Sequence, residues 1–104
     1  MSEVAALYKE AFAAFTRGDT EAAIAGFERV IEADAAFALA YQGLAEVYSR
    51  AERLDEAIVT IQKAIELEPN ESLYLTSLSR FLQRQGRIPE AEEAAARAAR
   101  IQSS

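Results

Sequence analysis

Tyr41-Gln42-Gly43-Leu44-Ala45-Glu46-Val47-Tyr48, continued by Leu54-Asp55-Glu56-Ala57-Ile58 and running through Ile61, Ala64 and Ile65 to Pro69, holds the grammar of this chain. Tyr41, Leu44, Ala45 and Tyr48 recur at steps of three and four, which sets them on one face of a helix over 38–50. Leu54, Ala57, Ile58, Ile61, Ala64 and Ile65 do the same over 54–67. Pro69 ends that run, because its ring fixes φ and its nitrogen has no hydrogen to donate. Such a helix pair cannot bury its apolar stripes alone and needs neighbours.

The neighbours lie in the same chain. Gly18, Asp19, Ala23 and Ile24 return in altered form as Arg53, Leu54, Ala57 and Ile58, then as Gly86, Arg87 and Ala91. Three registers follow, 4–37, 38–71 and 72–104, and a fixed period of this kind predicts stacked helix pairs. The first register predicts helices over 3–16 and 20–33. Its first helix carries Val4, Leu7, Ala11 and Ala14, with Tyr8, Phe12 and Phe15 on an adjoining stripe; its second carries Ala23, Ile24, Phe27, Val30 and Ile31. Arg17-Gly18-Asp19 separates them: glycine accepts the positive φ that ends a helix, and Asp19 or Thr20 caps the next. In the third register Leu75, Leu78, Ser79 and Leu82 precede a turn at Gln85-Gly86-Arg87, Asn70 is placed to cap the first helix, and Pro89 stands in the permissive first turn of the last.

Composition narrows the function. The chain has 104 residues, no Cys, no His and a net charge of −6. Nucleic acid requires a basic footprint, and an anionic membrane surface is disfavoured on the same ground. Without His or Cys the commonest general base, thiol nucleophile and metal ligands are missing, so no enzyme, cofactor or metal site is expected. Asp55-Glu56 and Glu92-Glu93 suit first-turn positions at positive helix ends, and Gly18, Gly26, Gly43 and Gly86 are too dispersed for a phosphate loop. No apolar run is long enough to span a bilayer and Met1-Ser2-Glu3 does not open a signal peptide, so the expected location is cytoplasmic.

With these residues in view, the chain resembles the tetratricopeptide repeat family, whose pattern is W-x2-L-G-x2-Y…A-x3-F…P. Tyr41-x2-Leu44-Ala45-x2-Tyr48, then Ala57-x3-Ile61, Ala64 and Pro69, follow it nearly position by position. Leu75-x2-Leu78-Ser79-x2-Leu82 with Ala91, Ala95 and Ala98 is a weaker match. Repeat one keeps Leu7, Ala11, Ala23, Phe27 and Val30, but has Glu10 where leucine is usual and Ala14 where tyrosine is usual. The resemblance implies an all-α, right-handed α-solenoid of three helix-turn-helix repeats and six helices, one domain over 1–104. It also implies a non-catalytic protein–protein interaction module of adaptor, chaperone or assembly type, holding an extended or short helical peptide in a concave groove lined by the first helices.

By that resemblance the groove-lining positions are Ala5, Tyr8, Lys9, Phe12, Phe15 and Thr16; Leu39, Gln42, Gly43, Glu46, Ser49 and Arg50; and Leu73, Thr76, Ser77, Arg80, Gln83 and Arg84. The expected binding residues are Tyr8, Phe12, Phe15, Leu39, Gln42, Glu46, Arg50, Leu73, Thr76, Arg80 and Arg84. Tyr8, Phe12 and Phe15 form an aromatic ladder that offers apolar anchorage, or packs against the first helix of repeat two. Arg50, Arg80 and Arg84 either grip acidic groups of a partner near repeat three or pair with Glu46 and Glu52. The family's carboxylate clamp needs Lys and Asn where this chain has Tyr8, Phe12, Gly43, Leu73 and Ser77, so that ligand mode is not expected.

Two other readings stay open. The aromatic stripe of the first helix could join two copies into a homodimer, since no earlier repeat in the chain covers that helix. The even period and the lack of Cys, His and Trp also suit an engineered repeat scaffold without natural ligand, against which the irregular repeat one speaks. At the far end, Glu92, Ala95 and Ala99 replace the large residues found at the matching positions of the earlier repeats, which predicts an outer face that needs no further repeat.

Overall fold

The apolar stripes become six helices: α1 (Glu3–Thr16), α2 (Thr20–Ala33), α3 (Ala38–Arg50), α4 (Leu54–Leu67), α5 (Ser72–Arg84) and α6 (Ile88–Ser103). The computed structural model describes residues 2–103; Met1, and Ser104 which closes the third register, lie outside them. Each helix packs on its partner in the repeat, and α2 on α3 and α4 on α5 join the repeats into a solenoid. Ser2 caps α1, its hydroxyl accepting from the Ala5 amide at 3.1 Å, and Asp19 caps α2, accepting from Ala22 at 3.3 Å. The cap of α5 is a correction: Glu71, not Asn70, accepts from the Leu73 amide at 3.3 Å. The Glu71 amide bonds back to the Glu68 carbonyl at 3.2 Å, so Asn70 is consumed in the turn.

The three intra-repeat turns share one hydrogen-bond plan. The amides of Asp19, Arg53 and Arg87 donate to the carbonyls of Ala14, Tyr48 and Leu82 at 3.0, 2.8 and 2.9 Å. This six-to-one closure needs a left-handed residue just before the donor, and φ is +79° at Gly18, +63° at Glu52 and +78° at Gly86. The pairing of Gly18 with Arg53 is one residue off: the backbone sets Gly18 opposite Glu52, as the registers 4–37 and 38–71 require. A non-glycine residue in this conformation costs about 1–2 kcal/mol.

The core runs through the helix layers as Val30, Phe27, Val47, Ile61, Tyr74, Leu75 and Phe81, all fully buried. Small residues set the approach of paired helices. A Cβ built on Gly26 would stand 2.8 Å from the Ala11 Cβ, so α1 and α2 meet there almost backbone to backbone. In repeat three Ser79 stands where repeat one has Ala11, and its buried hydroxyl donates to the Ala91 carbonyl at 2.8 Å, which offsets its desolvation cost. On α6, Ala91, Ala94 and Ala98 face inward while Glu92, Ala95 and Ala99 are exposed, the polar and small outer face expected there.

Tyr74 ties the core to alkaline pH. Burial, with the charges of Glu68 and Glu71 adding to it, pushes its hydroxyl up to about 12. A folded-state value above the unfolded one of about 10 means stability is complete below pH ~10 and is lost as pH rises toward ~12. Chemical denaturation at pH 9 and pH 11.5 should therefore show a fall that is smaller in Tyr74→Phe. An equal fall in both proteins would exclude Tyr74 as a contributor.

Candidate functional site

Besides its partner α2, α1 touches α3 directly. Side-chain bonds join α3 to α5. The expected groove residues lie on these three helices, α1, α3 and α5.

Within the aromatic ladder, the rings have separate duties. Tyr8 is half-buried, 5.8 Å from the Phe27 ring and 5.4 Å from Phe37, and burial raises its hydroxyl pKa. It supports the floor. Phe15 is also half-buried, with the Arg50 guanidinium over its ring at 4.2 Å, a cation–π stack. Phe12 packs at 6.1 Å from each of them and is 45% exposed. Leu39 and Leu73, at 39% and 44%, are the other large apolar groups left open on the first helices.

The arginines divide in the same way. Arg80 donates to both carboxylate oxygens of Glu46, at 3.1 and 2.9 Å, and this bond holds its pKa above the usual range. Glu46 also accepts from Gln42 in its own helix and from Ser77 in α5, at 3.3 Å each, so the Ser77 and Arg80 bonds knit α3 to α5. Arg84 donates to the Ser49 carbonyl at 3.1 Å, to its hydroxyl at 2.5 Å and to Glu52 at 2.5 Å. Arg80 and Arg84 are thus occupied within the chain. Arg50 has the Phe15 ring and, among the described residues, no carboxylate. Thr76 is exposed, its hydroxyl turned back to the Ser72 carbonyl at 3.0 Å.

Three expected lining positions need correction. Gly43, Ser49 and Ser77 are buried. Gly43 faces Phe27: a Cβ there would meet two ring carbons at 2.6 Å and a third at 3.1 Å. Ser49 and Ser77 serve as partners for Arg84, Arg80 and Glu46 instead of meeting a ligand. Phe37, just ahead of α3, takes part in the floor without having been singled out, since it lies outside the helical stripes.

A stack of three helix pairs with small residues at the pair crossings defines a helical repeat protein, and comparison places it in a family. Residues 14–81 match the family model Tetratricopeptide repeat, and the chain belongs to that family. Its fold is similar to that of MamA, at 26% identity and a TM-score of 0.92, over 96% of this chain and 58% of that one. The chain therefore spans less than two thirds of MamA. The second TPR of Spaghetti, solved with the HSP90 peptide SRMEEVD, superposes with a TM-score of 0.89 at 23% identity, covering 96% of this chain and 93% of that one. The translocator chaperone SycD of Yersinia enterocolitica type III secretion, solved as an alternative dimer, gives 0.94 at 21%, covering all of this chain and 80% of that one. At such identities the latter two show the fold alone. No curated protein matches the sequence. Among the described residues no cluster of acidic side chains could hold a metal ion, and no helix is long and apolar enough to cross a membrane.

Proposed function

We propose that the chain is a non-catalytic protein–protein interaction module that takes an extended peptide segment across its first helices, with Phe12, Leu39 and Leu73 as apolar anchors. The observation that carries the reading is charge segregation. The eighteen expected lining positions together with Glu52, which pairs with Arg84, hold Lys9, Arg50, Arg80 and Arg84 against Glu46 and Glu52, a net +2, in a chain of net −6, so all other positions sum to −8. Exposed apolar groups on an electropositive face of an acidic body favour encounter with segments of opposite charge. That a relative of the fold, Spaghetti, is seen with a peptide agrees with this use of the surface.

The test is selection of displayed peptides on the protein, followed by titration of the winners. Phe12→Ala should weaken them about tenfold or more, as loss of an aromatic anchor does, with helicity unchanged. Winners that bind Phe12→Ala and wild type alike would overturn the groove. The homodimer reading has less to work with: Tyr8 and Phe15 are engaged within the chain, which leaves Phe12 as the ring available for such a face. Light scattering across a concentration series addresses it, with a concentration-independent monomer expected.

A further inference from the structure

The two seams between successive first helices can be compared position by position, since the turn hydrogen bonds fix the register. Arg84 in α5 reaches back to Ser49 and Glu52 of repeat two. One repeat earlier, Arg50 in α3 reaches back to Phe15, the counterpart of Ser49. The counterpart of Glu52 is Gly18, which has no side chain. Both residues have the same left-handed backbone, with φ +63° and +79°. At the second seam the carboxylate sits on a conformation that disfavours any non-glycine residue; at the first, the register keeps glycine and the carboxylate is missing.

From this comparison we infer that Arg50 receives a carboxylate from the bound partner, in the place that Glu52 fills beside Arg84. The inference rests on the groove reading above and gives it a ligand class: a peptide segment with an apolar side chain on Phe12 and an acidic one on Arg50. Arg50 is exposed, bears a fork of donors suited to a carboxylate, and is held in place by the Phe15 ring at 4.2 Å. The Phe12 and Phe15 ring centres are 6.1 Å apart. Apolar anchor and guanidinium are therefore within about 10 Å, the reach of about three extended residues. The acidic group belongs close to the aromatic end of the groove rather than near repeat three, where Arg80 and Arg84 already hold Glu46 and Glu52.

The measurement is fluorescence polarisation with two labelled peptides of about ten residues, an extended length of ~34 Å suited to the 38 Å long axis of the protein. In one, leucine alternates with glutamate; in the other, with glutamine. Wild type should bind the acidic peptide about tenfold tighter, the effect of one charge-assisted hydrogen-bonded pair, and the preference should shrink with added salt. Arg50→Gln should abolish that preference and leave the neutral peptide unaffected. Gly18→Glu should abolish it too, by supplying the carboxylate from within the chain at a backbone position where Glu52 shows that glutamate is accommodated. A preference that survives both substitutions overturns the inference, as does equal binding of the two peptides to wild type. In either case the groove reading stands if Phe12→Ala weakens both peptides. Binding of neither peptide, or binding indifferent to Phe12→Ala, removes the groove reading and this inference with it.

Discussion

Phe27→Ala should cost about 3–5 kcal/mol, the range for deleting a buried phenylalanine, out of a total of ~5–15 kcal/mol for a domain of ordinary stability. Phe27 is 0% exposed and projects from α2 toward Gly43 of α3, with the Tyr8 ring 5.8 Å away. It therefore links the two helices of repeat one to the first helix of repeat two. Solenoid stability is a sum over repeats and the interfaces between them, so a cavity at a junction uncouples a whole repeat. Tm should drop by more than about 10 °C. The denaturant slope should fall as well, because repeat one loosens ahead of the rest. Urea and thermal unfolding followed by circular dichroism measure both quantities, and a loss below about 1 kcal/mol would contradict the central place given to this ring.

The same junction shows how much of the fold the letters contained. Helices over 3–16, 20–33, 38–50 and 54–67 begin and end where the apolar stripes and the turn residues put them. Local chemistry sets part of those limits: Gly18 follows the first of these helices, Pro69 the fourth, and Asp19 caps the second, whereas 20–33 and 38–50 are followed by neither glycine nor proline. Register within the turns was harder. Glu52 occupies a glycine conformation, and nothing local announces it, because its compensation comes from Arg84, 32 residues later in the chain. Asn70 had the better capping side chain by residue type, yet Glu71 was better placed once Glu68 had closed the turn.

The candidate site was legible by position but not by role. Phe12, Leu39 and Leu73 are open, as the register required. Gly43, Ser49 and Ser77 share that register and are buried, because neighbouring first helices and Phe27 of the preceding repeat cover them. A position on an inner helix face can meet either solvent or the next helix, and only packing distinguishes the two. The pairing of Arg80 and Arg84 with Glu46 and Glu52 follows from spacings close to one repeat, and it explains why Arg50, whose counterpart carboxylate is replaced by Gly18, is different.

Gly43→Ala is the sharpest test of that packing, because propensity and packing predict opposite signs. In a helix interior, alanine is favoured over glycine by about 1 kcal/mol, so an exposed Gly43 would be improved by the change. Here the added Cβ would lie 2.6 Å from Cε1 and Cζ of Phe27 and 3.1 Å from Cε2. The ring is fully buried, with Tyr8 packed edge-on against it, and has little room to turn away. Overpacking of this kind costs about 1–3 kcal/mol, which exceeds the propensity gain over most of its range. All three contacting atoms belong to the far end of the ring, which leucine lacks. In a Phe27→Leu background the clash disappears, and Gly43→Ala should become neutral or stabilising by up to about 1 kcal/mol. The four proteins of this cycle, unfolded in urea, should give a coupling of about 1–3 kcal/mol between the two positions. Equal effects of Gly43→Ala in both backgrounds would mean that Phe27 is not the reason for glycine at position 43.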